Sequence, residues 1–286
     1  MRAWGVRGGR EGSERVYRKG PGPPASLSKL LAGKRIVVTR PREQAAGLAA
    51  LIREAGGEAL LFPAIEIRAL ADTLKVGALL ERLDEFDLAI FVSRNAVVKG
   101  LELARERRAG KAWPARLAVA TVGSGSRHEL EHQGFSGVIA PGGEPDSEAL
   151  LALPELRSVD GKAVLIFRGE GGREFLGDEL AARGARVEYA ECYRRVRPDA
   201  DPAPLAAALE RGEVDAVTVS SAEGLANLLK YFDAAGRQRL QRVALCVPHR
   251  RVAEAAAGLG MRAALVGGPG DDEVLAALVA YFGRAT

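Results

Sequence analysis

Residues Ala163 to Val196 read AVLIFRGEGGREFLGDELAARGARVEYAECYRRV. An apolar run from Val164 to Phe167 leads into a glycine-rich turn at 169–172. A segment with helical spacing follows, from Phe175 to Arg183, and a second strand-like run covers Ala185 to Tyr193. A strand that passes through a glycine turn into a helix and then into another strand is one βα unit of an α/β fold.

The same order of segments occurs earlier in the chain, at Lys34 to Ile67 (KRIVVTRPREQAAGLAALIREAGGEALLFPAIEI). An arginine ends the first strand of each copy, and these residues, Arg40 and Arg168, lie 128 residues apart. Three further pairs of segments repeat in unchanged order at offsets of 128, 126 and 125 residues; they begin at Asp87 and Asp215, at Leu117 and Val243, and at Asp146 and Asp271. We therefore predict a tandem duplication of an α/β domain of roughly 125 residues.

Apolar strands alternate with amphipathic helices of about ten residues, which predicts doubly wound parallel sheets. We expect a short strand at Val138 to Ala140, and a short helix from Ser147 to Leu153 that is capped by Asp146 or Ser147. Residues 1–32 are rich in Gly, Arg and Pro and contain few apolar residues, so we predict a disordered extension or linker there.

Composition excludes several classes of protein. The net charge is +4, and six of the 41 basic residues lie among the first twenty, which argues against a nucleic-acid surface. The two cysteines, Cys192 and Cys246, are too few for a disulfide framework or a cysteine-based metal site and favour a cytoplasmic location. The sequence lacks the apolar runs of a membrane span or a signal peptide.

Ligands of open α/β sheets bind at the carboxyl ends of the strands, where helices begin. Small or polar residues stand at these points, and exposed backbone N–H groups with the helix dipole form anion sites there. The candidate binding residues are Thr39, Arg40, Ser93, Asn95, Gly123, Ser126, Ser147, Arg168, Gly169, Gly172, Arg173, Ser220 and Ser221. Each Ser or Thr is individually more typical of a helix cap than of a ligand contact, and only their common position favours binding.

Other chemistries lack their motifs. The sequence contains no dinucleotide fingerprint, no phosphate loop, no nucleophile elbow and no zinc-protease motif. The three histidines form no triad or metal set. Two tyrosines on one predicted strand, Tyr189 and Tyr193, remain as candidate proton donors, although packing in the core is the commoner role of such residues.

Taken together, six segments of the folded part (about 33 to 282) resemble the uroporphyrinogen-III synthases. They are KRIVVTRPREQA from Lys34, FVSRNAV from Phe91, TVGSGSRHELEHQGF from Thr121, PDSEALL from Pro145, RGEGGREFLGDELAARGARVEYAECYRR from Arg168 and TVSSAEGLANLL from Thr218. No single segment is very specific, but their order, spacing and repetition are.

The resemblance implies a cytoplasmic, monomeric enzyme without cofactor or metal. The enzyme would convert hydroxymethylbilane to uroporphyrinogen III by dehydrative cyclisation with inversion of the last pyrrole ring, and would receive its substrate from hydroxymethylbilane synthase. The eight carboxylates of this substrate suit helix N-termini, arginines and serines. The catalytic tyrosine of the family falls on Tyr193. This tyrosine would act as a weak general acid and help the hydroxyl group of the substrate to leave.

The resemblance also implies a topology. Two similar flavodoxin-like domains, one of residues 33–69 and 198–286 and the other of residues 70–197, would be joined by a two-stranded hinge. The strands of this hinge would be antiparallel, near Ile65 to Arg68 and Tyr193 to Arg197, and the substrate would lie in a cleft between the domains.

One segment departs from the family pattern, which has a Gly and, three residues later, a Thr at the start of a helix in the second half. Here these positions are His249 and Val252. Either Arg250 and Arg251 bind the substrate carboxylates by their charge instead, or this loop has lost part of its function. The alternative function is a non-catalytic binding or regulatory protein with two α/β lobes. The RGEGGR loop followed by a strand that ends in Tyr193 favours the enzyme, because ligand binding by a generic lobe does not require this combination.

Overall fold

The repeated βα units organise the whole structure, a computed structural model that describes residues 30–142, 146–261 and 264–283. The predicted disordered extension lies almost entirely outside the described residues. The strands are β1 (Arg35–Val38), β2 (Glu58–Leu61), β3 (Glu66–Arg68), β4 (Leu88–Phe91), β5 (Ala118–Thr121), β6 (Ala163–Gly169), β7 (Arg186–Val196), β8 (Ala216–Thr218), β9 (Ala244–Val247) and β10 (Ala264–Val266). The helices are α1 (Arg42–Glu54), α2 (Leu74–Glu81), α3 (Arg94–Arg107), α4 (Ser124–His132), α5 (Ser147–Leu151), α6 (Pro154–Arg157), α7 (Phe175–Ala182), α8 (Ala203–Glu210), α9 (Ala222–Leu229), α10 (Ala234–Leu240), α11 (Arg250–Gly258) and α12 (Asp271–Gly283).

The described chain divides into two units. Unit 1 runs from Ile67 to Arg195, and unit 2 combines the described residues up to Glu66 with those from Val196 onward. The sheet of unit 2 has the order β10-β9-β8-β1-β2, and that of unit 1 has the order β3-β7-β6-β4-β5. Numbered within the unit, the strands of unit 2 follow the order 2-1-3-4-5 of flavodoxin-like folds. The expected α/β fold class is thus confirmed.

The two sheets repeat the same pairings. In unit 2, Ile36 lies opposite Ala216, and in unit 1 Val164 lies opposite Leu88; residues 36 and 164, and residues 88 and 216, are both 128 apart. Aspartates at equivalent positions also make the same bond, since Asp215 accepts from the backbone N–H of Arg35 and Asp87 from that of Ala163, each at 2.9 Å. The duplication that the sequence predicts therefore extends to strand register.

The central strands are buried on both faces, which explains why β1 and β6 read as continuous apolar runs. In unit 1, α2, α3 and α4 cover one face of the sheet and α5, α6 and α7 the other. In unit 2, α8 to α11 cover one face and α1 and α12 the other. No helix of the described residues is long and apolar enough to cross a membrane.

Three predicted elements differ from the observed ones. The expected strand at Val138 to Ala140 is a single bridge between Ile139 and Ala120, so the equivalent of β10 is reduced to one residue pair in unit 1. The helix predicted over Ser147 to Leu153 ends at Leu151, and the proline at 154 begins a separate turn of helix. β7 runs without interruption from Arg186 to Val196, so the strand predicted over Ala185 to Tyr193 and the one predicted near Tyr193 to Arg197 form a single strand.

Candidate active site

The predicted binding residues form two groups, each at the carboxyl ends of the strands of one unit. The group of unit 1 follows β4, β5 and β6 and contains Ser93, Asn95, Gly123, Ser126, Ser147, Arg168, Gly169, Gly172 and Arg173. The group of unit 2 follows β1, β8 and β9 and contains Thr39, Arg40, Ser220, Ser221 and Arg250. The cleft between the domains depends on how the two domains are placed, and it stays a prediction.

Tyr193 lies beside two residues of the group in unit 1, Ser93 and Gly169. Its side chain is fully buried in the core that α2 and α3 cover. Its phenol oxygen lies 3.0 Å from Ser93 Oγ at the start of α3 and accepts a hydrogen bond from Arg195 Nη2 at 3.1 Å. A phenol, a serine hydroxyl and a guanidinium thus form one connected chain next to the ends of β4 and β6.

A β-bulge sets the orientation of Tyr193. Arg168 pairs with Glu191, but the next residue of β6, Gly169, pairs with Tyr193, so Cys192 is the extra residue of β7. Strict alternation along a strand would place Tyr189 and Tyr193 on the same face. Tyr189 instead packs on the side of α7, and Tyr193 on the opposite side of the sheet.

Tyr189, the other candidate donor, has a structural role. The guanidinium of Arg168 stacks on its ring at 3.8 Å, and its hydroxyl donates to the carbonyl oxygen of Glu174 at 3.4 Å. Burial of this hydroxyl raises the pKa of Tyr189, while the charge of Arg168 opposes that rise. The structure therefore distinguishes two tyrosines that the sequence leaves equivalent.

Arg168 holds the loop at 169–173 in place. Its guanidinium donates to the carbonyl oxygen of Gly172 at 3.1 Å and to Glu191 Oε1 at 3.1 Å, and the same carboxylate oxygen accepts from the backbone N–H of Gly171 at 3.2 Å. Arg168 is 7% exposed and has its charge neutralised, so it shapes the loop. The exposed Arg173 is the arginine that the loop presents to solvent.

Helix α3 begins at Ser93, whose hydroxyl accepts from the backbone N–H of Ala96 at 3.1 Å. The residue after it, Arg94, pairs with Glu129 of α4 at 3.0 Å and so ties the start of α3 to the second turn of α4. Burial alone would raise the pKa of Glu129, but hydrogen bonds from Gln133 and Arg94 lower it. Asn95, in the first turn of α3, is half-buried.

The loops before α4 and α5 differ in their capacity for an anion. Gly123 is the N-cap residue of α4, so the first turn of this helix receives no capping bond from a side chain of the cap residue, and a Cβ on Gly125 would meet open space. Ser126 is buried one turn further on. At α5 the carboxylate of Asp146 accepts from the backbone N–H of Ala149 at 2.7 Å, and this negative charge beside Ser147 disfavours a second carboxylate.

In unit 2, several predicted residues are engaged within the protein. The hydroxyl of Thr39 donates its proton to the carbonyl oxygen of Thr218 at 2.7 Å, and Arg40 is paired with Asp271 at the start of α12. Ser221 caps α9, and Ser220 before it is exposed.

The segment that departs from the family pattern lies at the start of α11. His249 is the N-cap residue and makes no side-chain capping bond, while Val252 is buried in the apolar core. Arg250 is 90% exposed at its side chain and lies 3.5 Å from Glu254. Val252 thus serves packing, whereas Arg250 and Arg251 are both exposed to solvent.

Two residues of the site, Arg195 and Glu191, were not among those predicted from the sequence. Arg195 lies two positions from Tyr193, a spacing that places neighbours on one face of a strand, so the Tyr-Arg-Arg sequence carried a signal for it. Glu191 gave none, because its role depends on its position opposite Arg168 on the neighbouring strand. Among the described residues, no group of three or more His, Cys, Asp or Glu side chains is arranged to hold a metal ion.

Both cysteines should be unreactive in the folded protein. Burial raises the pKa of Cys192 to about 12 and that of Cys246 to about 11, so little thiolate exists near pH 8. We expect a thiol-specific reagent to label neither residue over minutes under native conditions and both in denaturant. Rapid labelling of the native protein would contradict the observed burial.

The fold and the site define a class of protein, a pair of doubly wound α/β units in which helix N-termini, arginines and hydroxyls stand at the carboxyl ends of the strands, where ligands of such folds bind. The comparisons with known proteins agree. A family model described as uroporphyrinogen-III synthase HemD matches residues 46–268. The uroporphyrinogen-III synthase of Salmonella typhimurium is 34% identical over 241 residues, which cover 84% of this chain and 97% of the relative. That of Escherichia coli is 33% identical over the same shares of the two chains.

The chain belongs to the uroporphyrinogen-III synthase family. The reaction of this family is the dehydrative cyclisation of hydroxymethylbilane to uroporphyrinogen III, so both the family and the reaction expected from the sequence are confirmed. A solved structure of a mutant uroporphyrinogen III synthase from the extremely thermophilic bacterium Thermus thermophilus has a TM-score of 0.62 at 23% identity and covers 88% of this chain and 100% of that one. At that identity the likeness shows the shared fold.

Proposed function

We propose that Tyr193 is the general acid of this synthase and that the loops of unit 1 bind carboxylates of hydroxymethylbilane. The observation that carries the proposal is the position of the phenol oxygen, which is held at the strand ends by Ser93 at 3.0 Å and Arg195 at 3.1 Å. The guanidinium N–H stabilises the negative charge that remains on the phenol oxygen when its proton moves toward the leaving hydroxyl group.

Carboxylate binding is proposed for three features of unit 1. The N-terminus of α4 has a glycine as its cap residue, which makes no side-chain capping bond to the backbone N–H groups of the first turn. Arg173 is exposed at the loop that Arg168 fixes, and Arg94 is 62% exposed at the start of α3. Helix dipole and guanidinium charge together suit the propionate and acetate groups of the substrate.

A weak acid suffices for this reaction, because the nitrogen lone pair of the pyrrole itself helps to expel the hydroxyl group. We therefore propose that the enzyme needs no cofactor or metal. The cytoplasmic location, the monomeric state and the transfer of substrate from hydroxymethylbilane synthase are proposed on the resemblance described above.

Replacement of Tyr193 by phenylalanine should lower kcat by roughly 10- to 100-fold, the lower part of the range for a general acid, and leave KM nearly unchanged. The substitution removes the hydroxyl but keeps the buried ring, so folding should be retained. Single-turnover rates with hydroxymethylbilane generated in place measure the effect. An unchanged kcat would remove Tyr193 from the mechanism.

The function itself is tested by the isomer of the product. Hydroxymethylbilane closes spontaneously to isomer I, so added protein should shift the oxidised products to isomer III. Formation of isomer I alone in the presence of folded protein would favour a tetrapyrrole-binding or regulatory protein with the same fold.

A further inference from the structure

We infer that Ser93 is a catalytic residue in its own right, as the group that delivers the proton to the leaving hydroxyl while Tyr193 supplies that proton from behind. The inference rests on the proposed function. Its basis is the arrangement of four groups in unit 1, namely the guanidinium of Arg195, the phenol of Tyr193, the hydroxyl of Ser93 and the backbone N–H of Ala96.

The donors and acceptors of these four groups fix the direction of the hydrogen bonds between them. Arg195 Nη2 donates to the phenol oxygen, and the N–H of Ala96 donates to Ser93 Oγ, so each hydroxyl oxygen already accepts one bond and has one proton to place. If Ser93 donated to Tyr193, the phenol proton would need another acceptor, and among the described residues Ser93 Oγ is the sole acceptor within hydrogen-bond distance. A fully buried donor without an acceptor costs about 1–3 kcal/mol. The phenol therefore donates to Ser93, and the serine proton remains available.

Exposure agrees with this direction. The side chain of Tyr193 is 0% exposed, so substrate cannot reach the phenol in the observed conformation. Ser93 is half-buried at the start of α3, beside the exposed Arg94. Ser93 is thus the end of the hydrogen-bonded chain that a substrate can meet.

The repeat supplies an internal comparison. Ser221, which lies 128 residues after Ser93, caps α9 with the same bond length of 3.1 Å to a backbone N–H and with nearly the same backbone angles. No tyrosine hydroxyl is bonded to Ser221 among the described residues of unit 2. Capping therefore does not require the bond to Tyr193. In unit 1 the capping serine has, in addition, a bond to a tyrosine hydroxyl.

The proposed step balances as follows. The bond between the hydroxymethyl carbon and its oxygen breaks, and the electron pair goes to the oxygen, which takes the Ser93 proton and leaves as water. Tyr193 passes its proton to Ser93, and the phenolate charge is held by Arg195. The proton that the pyrrole carbon releases after ring closure returns through Ser93 to Tyr193, so the cycle consumes no co-reactant.

The test uses the full chain with five variants of the pair: Ser93→Ala, Ser93→Gly, Ser93→Thr, Tyr193→Phe and the double variant Ser93→Ala with Tyr193→Phe. Because the two hydroxyls act in series, each single variant that removes a hydroxyl should lower kcat by roughly 10- to 100-fold, and the double variant should lose no more than the worse single variant. The Ser93→Thr variant keeps both the cap and the hydroxyl and should retain kcat within about threefold. Glycine is tolerated at cap positions, so Ser93→Gly removes the hydroxyl with little loss of helix stability.

Asp233→Ala is the matched control, because Asp233 caps α10 through the N–H of Gly236 and lies outside the proposed site. It should lower stability by about 1 kcal/mol and leave kcat unchanged. The inference is overturned if Ser93→Gly keeps kcat within twofold, or if the losses of the two single variants multiply in the double variant. Failure of the wild-type protein to make isomer III would instead count against the proposed function, so the two failures are distinguishable.

Discussion

Replacement of Gly169 by alanine, which adds one methyl group, is expected to lower kcat by roughly 100-fold or more. This is the largest loss of activity that we predict. A Cβ on Gly169 would lie 2.8 Å and 2.9 Å from two ring carbons of Tyr193 and 3.2 Å from its hydroxyl. Real Cβ atoms do not approach other atoms so closely, so the ring or the strand end must move.

The ring of Tyr193 has no free space to enter. It is fully buried, and Ser93 and Arg195 both hold its hydroxyl. Moving it breaks the bond to Ser93, and moving Gly169 instead displaces the loop that ends in Arg173. Either shift affects more than the phenol, which is why the expected loss exceeds that of Tyr193→Phe. A displacement of about 1 Å at a catalytic group typically costs about 100-fold.

Single-turnover rates and the product isomer ratio measure this effect. Gly258→Ala is the matched control, since a Cβ at that position of α11 meets nothing within 4 Å. The added methyl group should also destabilise the protein by about 1–3 kcal/mol, so rates are compared at a temperature at which both variants are folded. A Gly169→Ala enzyme with kcat within threefold of the wild type would show that Tyr193 tolerates displacement.

Replacement of Phe167 by alanine should lower the free energy of unfolding by about 3–5 kcal/mol. Phe167 is fully buried on β6, its ring stacks on that of Phe91 at 4.3 Å, and Trp113 lies at 6.2 Å. Gly100 of α3 approaches the ring so closely that a Cβ there would lie 2.6 Å from it. The cavity left by the ring therefore has rigid walls and cannot close easily.

Urea unfolding followed by tryptophan fluorescence tests this prediction. In a Trp4→Phe background, Trp113 is the sole tryptophan of the chain and reports directly on this cluster. Phe167→Leu serves as the comparison and should cost less than half as much, because most of the buried volume is kept. A loss below about 1 kcal/mol for Phe167→Ala would mean that the core collapses around the cavity.

Much of the fold could be predicted because it depends on local pattern. Buried parallel strands must be apolar on both faces, so β1, β4 and β6 are visible as short apolar runs, and the glycines and polar residues after them mark the turns. The edge elements were harder to predict. Val138 to Ala140 has the composition of a strand, yet it forms one bridge, whereas the equivalent edge strand β10 pairs over three residues, so composition alone does not decide how far an edge segment pairs.

The candidate site was predicted in position but not in detail. Serines at strand ends were expected, and Ser93 and Ser221 are both caps. Residue type does not reveal whether a cap also binds a second group, because that depends on what the neighbouring strand presents. Residue type likewise does not reveal the partners of Arg40 and Arg168. These arginines stand at equivalent positions of the repeat, but the carboxylates that neutralise them, Asp271 and Glu191, do not.

The sequence by itself determined the duplication, the parallel α/β architecture and the polar strand ends, because each follows from the order and spacing of residue types along the chain. The tertiary structure decided which strands pair and which tyrosine faces the site. The pairings of β4 with β6 and of β1 with β8 join residues 76 and 180 positions apart, and no local pattern encodes them. The bulge at Cys192 then turns Tyr193 away from the face of Tyr189, because one unpaired residue reverses the alternation of every side chain after it.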